Sequence, residues 1–194
     1  MERRSLMMVG FTAILAMVAF PSLAGAQPEC FGQPATMSGT AGNDTLIGTG
    51  GPDVIVGLRG NDQIRGRGGN DRICGNPGAD DVFGGTGEDR VSGDNGADFV
   101  HGGAQDDRLL GRKGTDLIRG KPGSDIIIAG LDADRASGGS GHDSISGRAG
   151  NDVLHGNTGS DFLFDGTGFD RSNGGPGIDF CGGEIQTSCE NPEP

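Results

Sequence analysis

The sequence predicts an all-β solenoid, and three columns of a nine-residue period predict it. The first column is aspartate. From Asp44 every ninth residue is Asp: Asp53, Asp62, Asp71, Asp80, Asp89, Asp98, Asp107, Asp116, Asp125, Asp134, Asp143, Asp152, Asp161, Asp170 and Asp179. Sixteen positions are filled without a slip. The second column is glycine, on both sides of the Asp. Two residues before it, fourteen of sixteen are Gly, with Gln105 and Asp132 as the departures; four residues after it, fourteen are again Gly, with Ala129 and Asp165 departing. The third column is apolar and sits two residues after the Asp. It runs Leu46, Ile55, Ile64, Ile73, Val82, Val91, Val100, Leu109, Ile118, Ile127, Ala136, Ile145, Leu154, Leu163, then fails at Ser172 and ends on Cys181. A fixed short period of this kind is the signature of a repeat architecture in which each unit stacks on its neighbours.

Each element of the unit has a physical reason. Glycines at fixed turn positions allow positive φ and close approach of the backbone, so that loop carbonyls point at one spot. The first six residues are expected to form the turn and the last three a short strand. Ile, Val and Leu suit short strands and face inward.

Composition agrees. Of 194 residues, 41 are Gly and none is Trp or Tyr, and the formal net charge is −12. A chain this polar buries too little apolar surface to offset its ordering entropy by a conventional core. Either such a chain is unstructured or something other than a conventional core holds it. The acidic balance disfavours nucleic acid, whose phosphates need a basic surface, and suits cations.

The start of the chain is a separate object. Glu2-Arg3-Arg4 precedes an uncharged, mostly apolar run from Ser5 to Phe20, and Ala24 and Ala26 fit a small-residue cleavage site. This is the pattern of a secretory signal peptide over residues 1–26. Cleavage after Ala26 removes one acidic and two basic residues, taking 27 acidic to 26 and 15 basic to 13, a mature charge of −13. No second long apolar run follows, so no membrane span is expected after cleavage.

The repeat unit resembles the glycine-rich nonapeptide G-G-x-G-x-D-x-U-x of the RTX (repeats-in-toxin), or haemolysin-type, calcium-binding family. Gly66-Arg67-Gly68-Gly69-Asn70-Asp71-Arg72-Ile73-Cys74 carries the likeness, as do residues 147–155, and it spans about residues 39–183. One column departs. The second Gly of the unit is replaced at Leu58, Arg67, Arg112, Lys121 and Arg148. The resemblance implies a right-handed parallel β-roll of about eight 18-residue coils, two short strands per coil, roughly 40 Å long at ~4.8 Å per rung. It implies calcium ions shared between stacked loops, with all sixteen Asp as metal ligands. Calcium takes 6–8 oxygens from carboxylates and carbonyls, and a glycine-rich turn with one Asp offers both. Without the ion two rows of carboxylates repel. Folding coupled to calcium is therefore expected.

The domains read as a cap segment over residues 27–38, the roll over 39–183, and a C-terminal cap and tail over 184–194. An even number of cysteines in an exported chain suggests disulfides, and Cys30, Cys74, Cys181 and Cys189 allow three pairings. Cys30–Cys74 and Cys181–Cys189 are favoured, one tying the leader across the first coils and the other sealing the far end. A zinc site is disfavoured by the lack of a CxxC pair and of a His beside any Cys.

No enzyme is expected. The segments outside the repeats are too short for a catalytic domain, there is no HExxH, and His101, His142 and His155 read as surface histidines. Toxicity does not transfer with the motif. The alternative to a calcium-binding role alone is an adhesive or structural protein using the roll as a contact surface. Arg72, Arg90 and Arg108 should form a ladder on one sheet, as charge balance or as a contact for an anionic polymer. Ile126, Ile128, Phe162 and Phe164 should point outward, offering a contact for self-association or for the cell envelope.

Overall fold

A computed structural model describes residues 27–182. Among them there is no helix, and none therefore long and apolar enough to cross a membrane. The chain winds between two parallel sheets. One has eight strands, from Thr45–Ile47 to Arg171–Asn173; the other has nine, from Met37–Ser38 to Phe180–Gly182. Successive strands alternate between the sheets, and each pairs with the strand 18 residues on, as Phe99 does with Leu117 and Arg108 with Ile126. The result is a β-solenoid of about eight coils, as the period requires.

The strands are longer than the period suggests. In the central coils each covers six residues, such as Gln63–Gly68 and Arg72–Pro77, and leaves three for the turn. The reason lies five residues after each Asp. There the backbone turns left-handed, at φ 82° for Arg67, 83° for Arg112 and 93° for Lys121. This bend drops one residue from the ladder and brings the next two back into it, so that Gly103 pairs with Gly85 and Ala104 with Thr86 after a gap at Gly102. The second-Gly column, which looked degenerate in sequence, is thus a conformational column that Leu, Arg, Lys, Asn and Asp also occupy.

The two conspicuous Gly columns have different causes. The residue two before the Asp is left-handed in most coils, even where it is Gln105 (φ 82°) or Asp132 (φ 77°). The Gly four after the Asp is not left-handed; it is demanded by close approach, described below.

The core is one residue wide. Every member of the apolar column from Leu46 to Leu163 is buried in one continuous cluster, joined by Ala129 and flanked by Met37 and Cys181. Near the C-terminal end the two departures of the sequence meet. Asp165 stands where a Gly is usual and Ser172 where an apolar residue is usual, and the Ser172 hydroxyl donates to the buried Asp165 carboxylate. Two apparent defects form one satisfied polar pair.

The leader lies on the flank of the nine-stranded sheet. Glu29–Cys30 and Gln33–Pro34 make a short antiparallel hairpin. Cys30 is disulfide-bonded to Cys74 with Cα atoms 5.7 Å apart, and Cys30, Val56 and Cys74 bury a second small cluster with Phe31, Ala35, Val54 and Leu58. Cys181 is also disulfide-bonded; its expected partner Cys189 lies outside the described residues.

Candidate metal centre

Two rows of aspartates run along the two turn edges of the solenoid, because every Asp immediately precedes a strand and strands alternate between sheets. The carboxylates are ordered by the backbone. Oδ1 of each Asp from Asp62 onward accepts a hydrogen bond from the backbone N–H of the Asp one coil earlier. Fourteen such bonds of 2.7–2.9 Å connect Asp44 to Asp62, Asp53 to Asp71, and so on to Asp161 and Asp179. Each edge therefore carries an unbroken chain of carboxylates reaching back toward the N-terminus.

The other oxygen is the informative one. Oδ2 of Asp62, Asp71, Asp80, Asp89, Asp98, Asp107, Asp116, Asp125, Asp134, Asp143, Asp152, Asp161 and Asp179 is buried and has no hydrogen-bond partner. Buried polar atoms are nearly always satisfied, so thirteen repeats of one orphan point to an absent partner common to all. What surrounds that oxygen is another oxygen. A Cβ placed on Gly57 would lie 2.5 Å from Asp62 Oδ2 and 2.6 Å from the Gly75 carbonyl oxygen. The equivalent Gly recurs down the column, so its missing side chain leaves room for a carboxylate and the carbonyl of the next coil to converge.

Electrostatics carries the same message. Burial pushes these carboxyls up, partly offset by the backbone N–H each accepts, and neighbouring carboxylates push in the same direction as burial. Asp71 and Asp143 rise to about 6, Asp80, Asp89, Asp98, Asp116, Asp125 and Asp134 to about 7, and Asp107 to about 8. Charged carboxylates are disfavoured here unless a cation accompanies them. The donor set is all oxygen, suited to a hard cation such as calcium rather than to zinc or copper. No group of three or more His, Cys, Asp or Glu side chains converges among the described residues. A bound ion would therefore draw on backbone carbonyls beside the carboxylates.

Three of the sixteen candidates, Asp44, Asp53 and Asp170, fall outside this set, and the first two show why. Asp44 Oδ2 accepts the backbone N–H of Thr40 (2.6 Å) and its hydroxyl (2.9 Å), and Asp53 Oδ2 accepts the N–H (2.7 Å) and hydroxyl (2.9 Å) of Thr49. The Asp column itself does not distinguish these two sites from the rest. Their signal was available, in a β-branched residue four before the Asp where later units carry none.

A further, interrupted ladder occupies the position before several of the Asp residues. Side chains of Asn43, Asn61, Asn70, Asp106 and Asn151 accept the backbone N–H one coil ahead. His142 takes part through Nδ1, which accepts the Ser160 N–H at 3.0 Å, a structural use for one of three histidines. His101 is half-buried in a three-ring cluster with Phe83 and Phe99. On the other sheet Arg72, Arg90 and Arg108 stand in register as expected, with Arg90 over the Phe31 ring of the leader (4.5 Å). Ile126, Phe162 and Phe164 are exposed, and Ile128 is half-buried.

The stacked parallel coils and the repeated carboxylate–carbonyl sites define a β-solenoid with all-oxygen candidate cation sites along its turn edges. The family model for the RTX calcium-binding nonapeptide repeat matches residues 38–73, 75–109, 110–145, 129–163 and 146–181. The chain belongs to that family of calcium-binding repeat proteins. A search of curated proteins found no match.

Proposed function

We propose that the protein is a secreted calcium-binding roll whose folding is coupled to the ion. The observation that carries the reading is the set of thirteen buried carboxylate oxygens without a partner, which at Asp62, Asp71, Asp80, Asp89, Asp116, Asp125, Asp152 and Asp161 converge with a carbonyl of the next coil over a glycine. Calcium supplies positive charge and accepts several oxygens at once. The ladder aspartates would hold it, Oδ1 positioned by a backbone N–H and Oδ2 left to the metal. Uncompensated, the same carboxylates oppose the fold, so binding and folding share one free energy. The N-terminal pattern of residues 1–26 supports export, with cleavage after Ala26, to an extracellular setting where calcium is millimolar. Residues 27–38 and 184–194 serve as end segments, and the protein acts without a catalytic domain.

Far-UV circular dichroism and calcium calorimetry test this. In chelator the protein should lose strand signal, and millimolar calcium should restore it with multiple ions bound. A strand-rich spectrum unchanged by chelator refutes the coupling; no heat of calcium binding refutes the site.

A second reading, contact through the roll surface, is favoured by the apolar strip at the C-terminal end of the nine-stranded sheet. Phe162 and Phe180 stack at 4.8 Å, and both are exposed together with Phe164. Replacing Phe162 and Phe164 by Ser should shift sedimentation toward monomer if this strip joins two copies; unchanged sedimentation and surface binding would leave the calcium role alone.

A further inference from the structure

We propose that the residue four before each ladder aspartate decides whether that loop takes calcium, and that Thr40 and Thr49 close the first two loops to the ion. The inference rests on the calcium reading above and assigns its sites one by one.

Two independent observations carry it. The first is backbone conformation. In the fourteen later units the deciding residue is Leu58, Arg67, Asn76, Gly85, Asp94, Gly103, Arg112, Lys121, Gly130, Gly139, Arg148, Asn157, Gly166 or Gly175, and every one has positive φ. Thr40 and Thr49 do not. Positive φ is a genuine outlier for a β-branched residue, and none of the fourteen is β-branched. The second observation is the state of the carboxylate. Wherever the orphan Oδ2 occurs, its deciding residue is left-handed. Where the residue is Thr, Oδ2 already accepts two hydrogen bonds.

Conformation and satisfaction are linked through the ladder. In the central coils a left-handed residue stays in the sheet and pairs with the next coil, as Arg112 does with Gly130 and Gly130 with Arg148; Leu58 and Gly175, near the two ends, keep the conformation without the pairing. Thr49 leaves it: the strand Thr45–Ile47 pairs with Gln63, Ile64 and Arg65 and stops. Thr49 then turns both its N–H and its hydroxyl into the carboxylate. The donors occupy the oxygen that a cation would need, and they present hydrogens rather than lone pairs. The same Thr hydroxyl accepts the N–H of the residue two ahead, Gly42 for Thr40 and Gly51 for Thr49, which fixes the closed turn.

The rule predicts changes in ion number from residues that carry no carboxylate. Native mass spectrometry of the intact chain at saturating calcium counts the ions, and far-UV circular dichroism in the same buffer verifies the roll. Lys121→Thr should close the loop of Asp125 and lose one ion, whereas Thr40→Gly with Thr49→Gly should open the first two loops and gain at least one. Should K121T fail to form the roll, R148T poses the same question at Asp152. Equal counts for the Lys121→Thr protein (or its Arg148→Thr substitute) and the unaltered one, or no gain for the double glycine variant, would overturn the rule while leaving calcium binding intact. An unaltered chain that binds no calcium would overturn both readings.

Discussion

The first coil and the central coils are built from the same nonapeptide and are held by different means. Around Asp44 and Asp53 every carboxylate oxygen facing the loop interior has a protein donor, the strands are three residues long, and a disulfide pins a hairpin against the flank. From Asp62 to Asp161 the strands are six residues long and one carboxylate oxygen per loop is left over. One region is closed by covalent and hydrogen-bonding means. The other offers one carboxylate oxygen per loop to a cation. A repeat can thus keep its period while changing what stabilises it, because the period fixes where the carboxylate stands and a single neighbour fixes what it meets.

The largest effect that separates the regions is that of pH in the absence of calcium. The central aspartates titrate higher in the roll, at about 6 to 8, than the ordinary carboxylate value of 3.8. A group raised on folding contributes stability that is fully present below its unfolded value and is lost as pH rises through its folded value. In chelator the roll should therefore be most stable near pH 4 and should melt progressively as pH climbs past 6 to 8. Thermal unfolding followed by circular dichroism across that range checks it, and a stability that rises with pH would contradict it. Hydrogen exchange at pH 7 in chelator should retain protection around Thr40 and Thr49 longer than around Asp98 and Asp107.

Opening the staple comes next. Replacing Cys30 and Cys74 by Ser frees a loop with a sequence separation of 44 residues. The chain-entropy relation puts the loss at about 4 kcal/mol. Chemical denaturation at saturating calcium should show that loss concentrated in the first coils.

Glycine substitutions sharpen the contrast. A Cβ at Gly102 would run into Asp107, with Cγ at 2.9 Å, so Gly102→Ala should cost about 1–3 kcal/mol through overpacking and weaken calcium binding nearby. A Cβ at Gly42 meets nothing closer than Thr40 Oγ1 at 3.9 Å, and Gly42→Ala should be nearly silent. Calorimetric melting of the two variants checks the difference. Between these two falls Thr49→Val, which removes one hydroxyl donor from Asp53 and should cost about 1 kcal/mol in the same measurement.

Much of this was legible in the sequence. The Asp period gave the coil length, the apolar column gave the core, and Cys30 with Cys74 gave the leader its anchor. Strand length was not legible, because it depends on a left-handed residue that glycine only sometimes marks; Arg67, Arg112 and Lys121 adopt the same conformation without advertising it. Asp165 and Ser172 read as separate losses because they sit in different columns, and only the coil brings them across the core to one another. The aspartate sites were found as a set, yet their individual states were hidden in the residues four positions earlier.

The alternation of strands between two sheets has a consequence for how such a chain can change length. Excising eighteen residues, such as 90–107, removes one complete turn and leaves every downstream side chain on the face it had. Excising nine also preserves the spacing of aspartates, yet it transfers every later strand to the opposite sheet. Phe162 would then emerge on the side now occupied by Leu117 and Arg135, and Cys181 would trade flanks with Ser172. The heritable module of this fold is the pair of nonapeptides, and a lone insertion exchanges the two outer walls of the remainder of the rod while leaving its apolar column inward.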